Sequence, residues 1–290
     1  MVLNNCLSSS INLCSPTVIG RLDRSLFEQV RMGQDMLSQL SFPSAQRIYI
    51  GSESCEYLLC RNSEVLVGAA KRLRQCGLAV TLVTPPVSQF QMESVCALID
   101  RFDDNELADE VVCNDIGVIC RCSKSLHHMT IRAGRCFDKI TREARFDPFS
   151  IEEIQRNRII YQTPWPLQNE MGNRLKRLGV YGVDLDAVPG GVLQFKECEW
   201  DFALWHPGII LSYATTCEFA GSSLPVDQKF VPGRCACECM NYSTELHGET
   251  LIKIIKSGRL LQAIDPLDAC ECFNGNCRVV LDVQVGRRTK

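Results

Sequence analysis

From residue 47 onward, short apolar runs alternate with stretches in which apolar residues return every three or four positions. RIYIG at 47–51 reads as a strand, and 63–76 carries helical spacing up to Gly77. AVTLVT at 79–84 is the next strand, stopped by Pro85 and Pro86, and 88–102 returns to helical spacing. DEVVC at 109–113 follows, with Asn114 and Asp115 placed to cap the helix after it. HMTIRAG at 128–134 and RIIYQT at 158–163 read as strands, and the helix QNEMGNRLKRLG at 168–179 leads into YGVDLD at 181–186. The run FALWHPGIILSY at 202–213 and RVVLDVQV at 278–285 complete about eight strands.

Strand–helix alternation at about 30-residue spacing is the mark of right-handed βαβ units and a parallel sheet. The predicted fold is α/β, a (β/α)8-like barrel of the TIM type with irregular later crossovers. Its functional loops are expected at the C-terminal face. No GxGxxG or P-loop pattern follows a strand, so nucleotide-binding α/β architectures find no support. Residues 1–44 read as a polar N-terminal extension with a tendency to disorder, and residues 45–290 as the barrel domain with cysteine-rich loops. The charged stretch 136–157 reads as a surface excursion.

Charge and composition narrow the function classes. A net charge of −3 over 290 residues gives no general polyanion-binding signature. No apolar run approaches the roughly 20 residues that span a bilayer. The first twenty residues lack the basic and apolar segments of a secretory signal, so a cytoplasmic location is expected.

The unusual quantity is cysteine, with 18 residues. A disulfide scaffold suits small secreted chains rather than one that can bury its own core. Cys76, Cys96, Cys113 and Cys136 fall inside apolar patterns and read as small hydrophobes. Others crowd into loops. Cys55 lies just beyond the strand ending at Gly51, and Cys217 follows ILSYATT. Cys217, Cys235 and Cys239 are spaced C-x17-C-x3-C, with Cys237 as an alternate, and Cys270, Cys272 and Cys277 form a further trio. Four thiolates from separated loops suit tetrahedral zinc or a cubane iron–sulfur cluster, and spacing alone leaves both open beside no metal at all.

RIYIGSESCEYLLCRNSEVLVGAAKRLRQCGLAVTLVTPPV (47–87), DEVVCNDIGVI (109–119) and SYATTCEFAGSSLPVDQKFVPGRCACECMNY (212–242) resemble blocks of the peptidase U32 (collagenase-like) family. The likeness is nearest to its UbiV-like iron–sulfur members, which serve oxygen-independent ubiquinone hydroxylation. The resemblance implies a 4Fe–4S cluster held by Cys55, Cys217, Cys235 and Cys239. It also implies a role in, or accessory to, hydroxylation of an aromatic ring (a quinone precursor or an RNA base), and a second U32-like protein as heterodimer partner. The alternatives are a non-catalytic metal-binding accessory protein, with zinc or a cluster, and a U32-type peptidase. For the last, no HExxH, GxSxG or oriented Cys–His pair is present.

Four further residues are candidates for substrate binding. Asn114 and Asp115 end a strand on the expected active face, where helix capping is their ordinary role. Arg132 and Arg135 follow a strand and head the basic group completed by Lys139, Arg142 and Arg145, which suits an anionic substrate or plain solvation. His127, His128 and His206 border strands and read as structural, and Trp165, Trp200 and Trp205 as packing residues.

Overall fold

The computed structural model describes residues 6–139, 164–187, 200–228, 235–246, 253–264 and 277–283. Eight parallel strands close into a barrel: β1 (Cys6–Asn12), β2 (Arg47–Gly51), β3 (Ala79–Thr84), β4 (Glu110–Cys113), β5 (Thr130–Ala133), β6 (Val180–Asp186), β7 (Asp201–His206) and β12 (Cys277–Asp282). Closure is made by β12, which lies between β7 and β1. Helices pack around it: α1 (Pro16–Ile19), α2 (Leu22–Gln39), α3 (Glu56–Arg61), α4 (Ser63–Gln75), α5 (Met92–Asp104), α6 (Ile116–Ser125) and α7 (Asn169–Arg177). The expected α/β barrel is therefore the fold. Among the described residues, no helix is long and apolar enough to cross a membrane.

The N-terminal segment differs from expectation. From residue 6 it is the first βα unit of the barrel, not an extension. β1 reads CLSSSIN and lacks apolar alternation, although Ser9 and Ser10 are buried, and Ile11 turns outward onto Gly33 of α2. A Cβ at Gly33 would lie 2.7 Å from the Ile11 side chain, so helix and strand touch at a glycine. Leu22, Leu26, Val30 and Leu37 of α2 are buried at helical spacing, a signal that was present in the sequence.

The run 202–213 is two strands. Proline has no N–H for a sheet ladder, and at Pro207 the chain leaves the barrel. β8 (Gly208–Tyr213) joins β9 (Thr244–Leu246), β10 (Lys253–Ser257) and β11 (Leu260–Ile264) in an antiparallel sheet of order β8-β11-β10-β9. This sheet roofs the C-terminal mouth. Ile210 N donates to Asp186 Oδ2 at the end of β6 at 3.1 Å, and Arg135 Nη1 donates to Gly208 O at 2.8 Å. The strand expected at 158–163, most of the excursion at 136–157, and Arg142, Arg145, Cys270 and Cys272 lie outside the described residues.

The barrel interior combines an apolar layer with ion pairs. Tyr49, Val83, Val112, Ala203, Trp205 and Val280 form the apolar layer. Arg278 reaches across from β12 to both carboxylate oxygens of Glu110 on β4, at 2.7 and 2.9 Å, and to the Tyr49 hydroxyl at 2.9 Å. Arg132 points inward from β5, fully buried, and donates to Asp184 Oδ1 at 2.7 Å and Asp201 Oδ1 at 2.5 Å. Gly182 of β6 makes the room, since a Cβ there would fall 2.3 Å from Arg132 Nη1.

Candidate functional site

The approach to Cys55 begins at Gly51, whose φ of +126° is one that glycine adopts readily. A Cβ there would lie 2.2 Å from Val83 O, so a glycine lets β2 turn against β3. Ser52 N then donates to Val83 O at 3.0 Å, and Cys55 N donates to Ser52 Oγ at 3.2 Å. Cys55 ends buried at the N-cap of α3.

The other three cysteines belong to the roof. Cys217 follows β8, not a barrel strand as the sequence suggested, while Cys235 and Cys239 flank the turn before β9. Glu238, missed in the sequence, ties these loops together. Its Oε1 accepts from Gly221 N at 2.9 Å and Ser223 Oγ at 3.3 Å, and its Oε2 accepts from Ala236 N at 3.1 Å. The one signal for it was an acid set between the cysteines of CACEC.

All six pairs among Cys55, Cys217, Cys235 and Cys239 are close enough to interact electrostatically. Burial pushes the Cys239 thiol up to about 12, and the other three thiols add to the rise. Burial likewise raises Cys55 and Cys217, with neighbouring sulfurs contributing. Backbone N–H groups face the sulfurs in return: Leu58 at Cys55, Phe219 and Ala220 at Cys217, and Cys237 at Cys235 at 3.3 Å. The thiol and N–H of Cys237 hold Cys235 down to about 6. Cys237 itself has a left-handed backbone (φ 61°), and its interactions with other thiols are those with Cys235 and Cys239. Among the described residues, no three His, Cys, Asp or Glu side chains converge on a point that would hold a single metal ion.

Thiols are the donors that zinc and iron–sulfur groups both take. A lone zinc draws its sulfurs to about 2.3 Å from one centre. A cubane cluster takes one thiolate on each of its irons. Amide hydrogen bonds to the sulfurs are among the devices by which proteins tune such clusters.

The four expected substrate binders have internal partners. Asn114 Nδ2 donates to Thr84 O at 3.0 Å, and its Oδ1 accepts from Cys136 N at 3.0 Å. Asp115 caps α6, accepting from Gly117 N at 2.7 Å, and accepts from Val87 N at 3.1 Å. Arg132 is enclosed by carboxylates inside the barrel. Arg135 is buried at the mouth, paired with Glu53 and Asp186. Neither arginine is solvated, because each lies between strand ends that supply acids. Burial raises the Glu53 carboxyl, and the Arg135 charge opposes the rise.

A narrow cavity runs beside this pair under the roof, lined by Asn12, Cys14, Glu53, Ser257, Gln262 and Asp282 among others. Ser257 Oγ and Gln262 Nε2 are buried there without a partner among the described residues.

Fold and site together define a parallel eight-stranded α/β barrel, roofed by an antiparallel sheet, with four thiols gathered between barrel and roof. No protein-family model matches the chain, and no curated protein is significantly similar to it.

Proposed function

We propose that this chain is an iron–sulfur protein of the U32 type that takes part in oxygen-independent hydroxylation of an aromatic ring. Cys55, Cys217, Cys235 and Cys239 would hold a 4Fe–4S cluster. The observation that carries the reading is that these four thiols, from two distant parts of the chain, lie within electrostatic reach of one another between barrel and roof. When bound, such a cluster supplies one-electron redox chemistry. The chain's own residues hold and shield it. Ser52 fixes the Cys55 backbone, Glu238 pins the 217–239 loops, and the roof limits solvent at the mouth. Within this reading the substrate is a small aromatic ring or RNA base, and a second U32-like protein is the heterodimer partner.

An accessory role without catalysis is the second reading, favoured by one observation. Arg135, the arginine at the mouth, is paired with Glu53 and Asp186, leaving its charge engaged before any substrate arrives. A single metal analysis addresses both readings. Anaerobically purified protein absorbing near ~400 nm with about four irons per chain supports the cluster. A colourless protein with stoichiometric zinc leaves only the accessory role. Cys55→Ala is expected to abolish iron binding with the barrel intact, and unchanged iron content refutes the ligand assignment.

A further inference from the structure

The cavity under the roof takes one wall from the barrel and one from the antiparallel sheet. Asn12 ends β1 and Asp282 ends β12, paired in register, and Glu53 follows β2. The barrel wall is thus built at the C-terminal mouth, the end of an α/β barrel where ligand-binding groups gather. The roof wall is Ser257 of β10 with Leu260 and Gln262 of β11. Ser257 pairs with Leu260, and Gln262 lies two residues further along β11, so alternation puts all three on one face of the roof. The space is about 280 Å³, counting its opening, just under the usual range for small-molecule pockets. It adjoins the thiols through Gly258, where an added Cβ would lie 3.5 Å from Pro16 Cγ and 3.8 Å from Cys239 Sγ.

The fold leaves two groups of the roof wall unused. Ser257 is 2% exposed and Gln262 3%, yet Ser257 Oγ and Gln262 Nε2 have no hydrogen-bond partner among the described residues. Buried polar groups nearly always find one, and leaving one unmet costs stability. Packing alone would be served by apolar side chains here, as it is at Leu260. The barrel wall supplies acids instead of cations: Glu53 and Asp282 are both buried. Among the described residues, no lysine or arginine lines the cavity, and Arg135 beside it is engaged by Glu53 and Asp186. An anion would meet carboxylates with no cation to receive it. A hydroxyl would meet a donor on one wall and acceptors on the other.

We propose that this cavity is a binding subsite for a small, uncharged, hydroxyl-bearing molecule, held by Gln262 and Ser257 from the roof and by the acidic barrel wall opposite. The ligand oxygen accepts from Gln262 Nε2, and its O–H donates to Ser257 Oγ or to a carboxylate. A hydroxyl does both at one atom, which suits a space that admits only a few heavy atoms. The subsite does not depend on what the neighbouring thiols bind, so it stands or falls separately from the function proposed above.

The test titrates the full chain, as purified, with lactamide, propane-1,2-diol and lactate, followed by saturation-transfer NMR. The first two are uncharged, and lactate matches lactamide in size but is an anion. Wild type is expected to bind an uncharged probe about tenfold or more tighter than lactate. Gln262→Leu should weaken that binding about tenfold, and Ser257→Ala several-fold. Thermal melts separate a lost site from a lost fold. Both variants should melt at or above wild type, because each removes a buried polar group that has no protein partner. If one melts low, the other decides. Low melting of both would show that these groups hold the roof rather than a ligand, and overturns the inference. So does lactate binding as tightly as the uncharged probes, or binding unchanged in both variants. No binding of either uncharged probe leaves the cavity to water and overturns it too.

Discussion

The guanidinium of Arg135 grips both carboxylate oxygens of Glu53, Nε to Oε1 at 2.7 Å and Nη2 to Oε2 at 2.5 Å, although 82 residues separate them in sequence. The same guanidinium lies 4.1 Å from the centroid of the Trp205 ring and donates to Asp186 Oδ1 at 2.7 Å. Strands β2, β5, β6 and β7 are thereby locked at one point of the mouth. Removing one partner of a buried pair leaves an uncompensated charge, which costs more than the pair contributes. Arg135→Met is expected to destabilise the protein by about 3–5 kcal/mol in denaturant unfolding. The double change Arg135→Met with Glu53→Gln should recover part of that loss, and strict additivity of the two changes would show that the pair is not coupled.

Gly182 and Gly68 make opposite predictions for the same substitution. Gly182→Ala drives a Cβ to 2.3 Å from Arg132 Nη1 and 2.8 Å from Asp201 O, so the arginine must leave its buried carboxylates. A loss on the order of 3 kcal/mol is expected. Gly68 lies within α4 with nothing inside 4 Å of an added Cβ, so Gly68→Ala should gain about 0.5–1 kcal/mol. Thermal melts of the two variants give the comparison.

Acid stability has two components with different windows. Burial holds the His206 imidazole down to about 4 from 6.5. The unfolded chain binds that proton first, so stability falls as pH drops from 6.5 to 4, by about 3 kcal/mol in all. His206→Gln should flatten this part of the profile. Burial alone would raise Glu110, but Arg278, Arg132 and Arg47 hold it down to about 2 from 4.5. Its contribution is present above pH 4.5 and is lost as pH falls toward 2. Urea unfolding across pH 7 to 2 separates the two, because Glu110→Gln alters the acid limb and leaves the His206 slope.

The two candidates for the last cysteine ligand are separated by substitution. The Cys239 thiol lies within electrostatic reach of Cys55, Cys217 and Cys235, whereas Cys237 acts on its sequence neighbours Cys235 and Cys239. Its contribution to Cys235 includes a backbone N–H that alanine keeps. Cys237→Ala is expected to retain the iron content of anaerobically purified protein, and Cys239→Ala to lose it. The reverse result moves the ligand assignment to Cys237.

The sequence by itself determined the local elements from β2 onward and the barrel they imply. Apolar positions at periods of 2 and 3.6 are a local property, so RIYIG, AVTLVT and YGVDLD were legible as strands. The same logic shows why β1 was not. Ser9 and Ser10 are buried there without being apolar, and the strand's place is secured by pairing with β2 and β12 rather than by its own pattern. Asp115 was legible as a helix cap because capping is settled within three residues. Only the tertiary structure decided the partners of Arg132 and Arg135, since charge in a sequence does not say whether water or a distant carboxylate will meet it. It also decided that three of the four cysteines sit in the loops of a roof sheet, after the turn of the chain at Pro207. Those thiols come from segments joined by strand pairing across the fold, and no local spacing records that meeting.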